Sequence, residues 1–86
     1  QKKYQEALPA CTECLKISLS ALPQGDPWLA DVYYITAKMN YLVGKFQEAL
    51  NLYEQELEIE LKNIPDKFES IAVTYFNIST TLIGLH

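Results

Sequence analysis

Two cysteines, one histidine and a run of glutamates are the residues of this chain best equipped for chemistry. Cys11 and Cys14 have the spacing of a redox pair. Such a pair works from a helix start, where the local field lowers the thiol pKa. Here it falls midway along a helical pattern with no strand pattern nearby, so both thiols are expected to be buried and structural. A structural zinc site needs four ligands. Only His86 could join the two thiols, and it stands at the far end of the chain. No metal is therefore expected.

Glu54, Glu56, Glu58 and Glu60 form the acidic run. Glu54 and Glu58, like Glu56 and Glu60, are one helical turn apart, where like charges repel mildly. Calcium sites draw many oxygens from a turning loop rather than from a helix, so the run reads as a solvated outer face. Asn77-Ile78-Ser79 matches a glycosylation acceptor, but it lies within a helical segment and no signal-peptide pattern opens the chain. No nucleophile elbow, phosphate loop or metalloprotease helix is present. A histidine-based triad would need residues outside this chain. Neither catalysis nor a cofactor is expected.

The elements that carry these residues follow from composition and periodicity. The chain has 86 residues, 49% of them apolar, with three glycines and four prolines. That supports a folded helical domain rather than disorder or a turn-rich β fold. The formal charge is −4, with seven scattered lysines and no arginine, which argues against nucleic acid and against adsorption to anionic membranes. The longest uncharged run, Ser70 to Gly84, is studded with Ser, Thr and Asn and is short of the roughly 20 apolar residues of a membrane span. Two reduced cysteines fit a cytoplasmic setting.

The chain also repeats itself. Lys3-Tyr4-Gln5-Glu6-Ala7-Leu8 aligns with Lys45-Phe46-Gln47-Glu48-Ala49-Leu50 at an offset of 42, and the register gives 11 identities in 44 aligned pairs. Each copy reads as two helices. Leu22-Pro23-Gln24-Gly25 and Asn63-Ile64-Pro65 mark loops. Asp26 before Pro27 is a helix start, the carboxylate capping free N–H groups and the proline suiting the first turn. Asp66-Lys67-Phe68-Glu69 resembles a capping box, and Gly44 ends the second helix. Helices are predicted over about 2–20, 27–43, 45–62 and 66–84. The third has one apolar stripe through Ala49, Leu50, Tyr53 and Leu57. The second is apolar almost all round, from Trp28 to Val43, and is expected between neighbours.

Tyr33, Ala37, Gly44, Phe46, Ala49, Tyr53 and Leu57 resemble the signature of a tetratricopeptide repeat: small residues where helices cross, aromatics that fill gaps, and a glycine at the turn. The ordinary repeat is about 34 residues. The longer offset, the Gly25-Asp26-Pro27-Trp28-Leu29-Ala30 entry and the Glu6-Ala7-Leu8-Pro9 step are similar to the kinesin-light-chain-like subclass. Two departures stand out: Glu56, where the family prefers Ala, and His86, where Gly44 stands one repeat earlier.

The resemblance implies an all-α fold of stacked helix-turn-helix repeats forming a right-handed superhelix. In this frame residues 1–20 are the second helix of one repeat, 27–62 a complete repeat, and 66–86 the first helix of the next, a piece of a longer array. Open apolar ends are expected to make it self-associate. The implied function is a non-catalytic scaffold or adaptor that binds a peptide or helix of a partner protein in a concave groove; the alternative is a regulatory domain that switches an attached effector. Groove positions carried over from the family are Asp31, Tyr34, Ile35, Lys38, Tyr41 and Leu42 from one repeat, and Val73, Phe76, Asn77, Thr80 and Ile83 from the next. Asn77 can pair with an extended main chain through donor and acceptor alike, and Tyr34, Tyr41 and Phe76 are candidate aromatic anchors. The arginines of carboxylate clamps and of acidic-peptide recognition are missing, so a more apolar ligand is expected.

Overall fold

The computed structural model describes residues 2–63 and 68–85. They form four helices, α1 (Lys2–Ala21), α2 (Pro27–Leu42), α3 (Phe46–Leu61) and α4 (Phe68–Leu85), with no strand among the described residues. The all-α expectation is met and the helix ends fall close to those read from the sequence. Ile64-Pro65 of the second loop, the start of the capping box at Asp66-Lys67, and His86 lie outside the described residues.

Local chemistry sets the helix ends. Asp26 Oδ1 accepts from the Trp28 amide at 2.8 Å, and Pro27 opens α2. At the other end Gly44 sits at φ +89°, a backbone region that glycine enters without steric cost. Its N–H donates to Tyr41 O and the Lys45 N–H donates to Asn40 O, satisfying two carbonyls that the end of α2 leaves free. α1 runs from Lys2 to Ala21 with Pro9 inside it.

The helices pack in chain order: α2 lies between α1 and α3, and α3 between α2 and α4. Ala37 and Ala49 are completely buried. Small residues there let α2 and α3 approach, while Leu29, Val32 and Tyr33 of α2 and Leu52, Tyr53 and Ile59 of α3 fill the space beside them. α2 is covered on two sides, yet Trp28 and Ile35 remain exposed. Buried polar groups on α2 bond to its own carbonyls: Thr36 Oγ1 to Val32 O at 2.9 Å and Asn40 Nδ2 to Thr36 O at 2.8 Å. Gly84 lets α4 come close to Phe46, since a Cβ there would lie 2.9 Å from the ring.

The cysteines depart from expectation. Cys11 is half-buried and Cys14 exposed, both free. They border an apolar hollow of about 230 Å³ with Ala10, Trp28, Val32 and Ile35. The physical reason is that α2 covers only one side of α1, and among the described residues nothing covers the other.

Candidate functional site

The expected groove residues divide into three sets. Asp31, Ile35 and Lys38 are exposed on α2, with Tyr34 half-buried between them and Lys38 Nζ 5.8 Å from the Tyr34 ring centre. Val73, Phe76 and Ile83 are exposed on α4, Phe76 by 67% and Ile83 by 73%. Asn77 and Thr80 are half-buried, and the Asn77 carbonyl accepts from the hydroxyls of Thr80 at 3.0 Å and Thr81 at 2.7 Å. Tyr41 and Leu42 are half-buried; the Tyr41 ring packs against the core and stands edge-on to Phe46, centres 5.3 Å apart. Tyr41 is thus engaged in packing.

Asp31 and Tyr34 of α2 meet Val73 of α4 around one hollow of about 240 Å³, whose other walls are Glu56 and Glu60 of α3 and Glu69 and Ser70 of α4. Three helices therefore contribute to it. Ile35 borders the separate apolar hollow beside the cysteines.

The acidic run is not a solvated face throughout. Glu54 and Glu58 are exposed, but Glu56 is only 5% exposed and Glu60 only 3%. The two are one turn apart, so they share the face of α3 that α4 and the edge of α2 cover. Thr74 of α4 donates its hydroxyl to Glu60 Oε1 at 2.6 Å, with Ser70 O as the alternative acceptor at 2.9 Å. Glu56 Oε1 is fully buried and receives no hydrogen bond.

Two carboxylates cannot both stay ionised in such a place. Burial pushes the Glu56 carboxyl up to about 9, and the hydrogen bond to Glu60 and the charges of Glu60 and Asp31 push the same way. Glu56 accordingly holds a proton at neutral pH. Beneath them, burial raises Tyr53 to about 12, with Tyr34, Glu56 and Tyr41 adding to the effect. The site is a protonated Glu56 beside Glu60, under two exposed acids, Asp31 and Glu69.

Sequence reasoning placed Glu56 and Glu60 outside, yet a signal for one of them was present. Glu56 stands where the repeat pattern calls for a small residue, and small residues mark close crossings. Nothing comparable marks Glu60. Among the described residues no set of three or more His, Cys, Asp or Glu side chains is placed to hold a metal ion, and no helix is long and apolar enough to cross a membrane.

A family model described as tetratricopeptide repeat matches residues 1–61. No curated protein and no solved structure matches the chain. The family is generally a protein–protein interaction module, and its members are typically non-catalytic scaffolds.

Proposed function

We propose, from the premise that this chain belongs to the tetratricopeptide repeat family, that the face shared by α2 and α4 binds an extended peptide or a helix of a partner protein. The observation that carries the reading is the convergence of Asp31, Tyr34 and Val73 on one hollow, with Phe76 and Ile83 exposed farther along α4. Exposed aromatic and aliphatic side chains on a helical frame are anchors whose backbone needs no ordering on binding. The offset of 42 supports placing the chain in the kinesin-light-chain-like subclass. Free cysteines support a cytoplasmic scaffold or adaptor. The exposed apolar side of α4, which includes Phe68 and Leu82, supports self-association, read as concentration-dependent sedimentation.

Selection from a random peptide library on the wild-type chain tests the groove. Selected peptides are expected to bind the Tyr34→Ala, Phe76→Ala, Asn77→Ala variant at least about tenfold more weakly, with helicity unchanged by circular dichroism. Equal binding to both proteins contradicts the reading. A peptide that instead rearranges the helix packing favours a regulatory switch.

A further inference from the structure

The acidic hollow is not something the repeat requires. At an offset of 42 its buried acids Glu56 and Glu60 correspond to Cys14 and Ser18, and its rim acid Glu69 to Pro27. The earlier junction packs α1 on α2 with a thiol and a hydroxyl at these places. The later junction brings in three carboxyl groups, and Asp31 of α2 supplies a fourth. No lysine among the described residues lines the hollow.

Burying an acid without a donor costs free energy, and a buried carboxyl oxygen left unbonded costs more. Glu56 is 95% removed from solvent by its 5% exposure, lines the hollow, and has an oxygen with no partner. A cation seated in the hollow would replace the proton on Glu56 as the charge that offsets its carboxyl. The carboxylates come from three helices and are not gathered tightly enough for a metal ion. At about 240 Å³ the space is also smaller than most small-molecule pockets, which run from about 300 to 1,000 Å³. Its dimensions suit one side chain. A guanidinium is the cation best matched to several carboxyl oxygens in a partly dry site, because it is planar, weakly hydrated and carries five N–H donors in a fixed fork. Tyr34 on the rim offers a ring face of the kind cations prefer, and it already draws Lys38.

We infer that the hollow formed by Asp31, Glu56, Glu60 and Glu69 is a receptor for one arginine side chain of a bound partner segment. This rests on the reading of the α2–α4 face as a peptide groove. It sharpens the apolar ligand expected from the sequence: apolar residues over Phe76 and Ile83, and one arginine in the hollow. Seating the guanidinium expels the proton that Glu56 holds. Asp31 from α2, Glu69 from α4 and Glu60 beside Glu56 all favour that exchange.

The probe is N-acetyl-arginine N-methylamide, titrated into the ¹⁵N-labelled chain, with the citrulline compound as its neutral isostere. The arginine compound is expected to shift the amides of Asp31, Glu56, Glu60 and Glu69. Citrulline is expected to bind about tenfold more weakly, as are the exposed-rim variants Asp31→Asn and Glu69→Gln, which leave the core intact. Affinity is expected to rise about a hundredfold or more from about pH 6 to about pH 8.5, with proton release seen as a buffer-dependent heat. Equal binding of citrulline, shifts confined to other helices, or no binding at tens of millimolar overturns the inference. Library peptides that need Phe76 and Asn77 but show no preference for arginine overturn the receptor and leave the groove standing. Arginine compound in the hollow, with no peptide held by the α2–α4 face, keeps the receptor and overturns the groove.

Discussion

The α1–α2 junction and the α3–α4 junction occupy equivalent places in the repeat and are built from opposite materials. At the first, Cys11, Cys14, Ser18 and Val32 meet; at the second, the same positions hold Tyr53, Glu56, Glu60 and Thr74. The first junction leaves an open apolar hollow. The second buries two carboxyl groups against a threonine and opens onto an acidic one. The fully buried side chains of α4 are Thr74 and Thr81, with Ile78 packed against the core, while Phe68, Tyr75 and Phe76 remain exposed. One backbone arrangement thus accepts either chemistry, and the acid pair reflects something other than the needs of packing. Buried ion or acid pairs are weak contributors to stability compared with apolar packing of the same volume.

That contrast can be broken, and the largest effect falls on the aromatic floor. Tyr53→Ala removes a side chain only 3% exposed and is expected to cost roughly 3–5 kcal/mol in urea unfolding. Its counterpart Cys11→Ala, half-buried beside the open hollow, is expected to cost under about 1 kcal/mol.

The next effect is a pH dependence. Glu56 is protonated in the folded chain up to about 9, against an ordinary value of 4.5. Between those values the folded chain binds more protons than the unfolded one, so stability falls as pH rises through that window and levels off above it. Thermal unfolding is expected about 5 °C or more lower near pH 9 than near pH 5. Glu56→Gln, which keeps a donor toward Glu60 and cannot ionise, is expected to flatten that slope.

Thr74→Val places at the second junction the residue that Val32 already supplies at the first. Alone it takes the Thr74 hydroxyl from Glu60 Oε1 and is expected to cost about 1–2 kcal/mol. With Glu56→Cys and Glu60→Ser added, the junction matches the first at three of the four positions and the loss is expected to be largely recovered, a non-additivity that a mutant cycle measures. The last effect is that of Gly44→Ala. At φ +89° a Cβ is expected to cost about 1 kcal/mol, equally in the wild type and in the grafted chain.

Much of the fold was legible because the sequence states it twice. Asp26-Pro27 and Gly44 carry their own local physics, and the offset of 42 set the element order. The stripe through Ala49 and Tyr53 located the core of α3 for the same reason: period and residue size suffice. The burial of Glu56 and Glu60 was not legible from charge. A helix face turns inward or outward according to what packs on it, and α4 covers a face of α3 that has no apolar signal at those two positions. Cys14 errs in the opposite direction, a residue type usually buried that stands exposed because nothing described here covers that side of α1. Among the groove positions, Asp31, Tyr34 and Val73 converge on one hollow, whereas Tyr41 is taken up by Phe46. Helical phase alone does not separate those two outcomes.

The most direct measurement is a ¹³C NMR titration of the glutamate side-chain carboxyls, followed with and without N-acetyl-arginine N-methylamide. Glu56 is expected to keep its proton through neutral pH and release it near 9, and the arginine compound is expected to lower that midpoint while the rest of the spectrum holds. Release of the Glu56 proton near 4.5, its ordinary value, or a midpoint that the arginine compound leaves unmoved, would contradict the account of a buried acid pair poised for a cation.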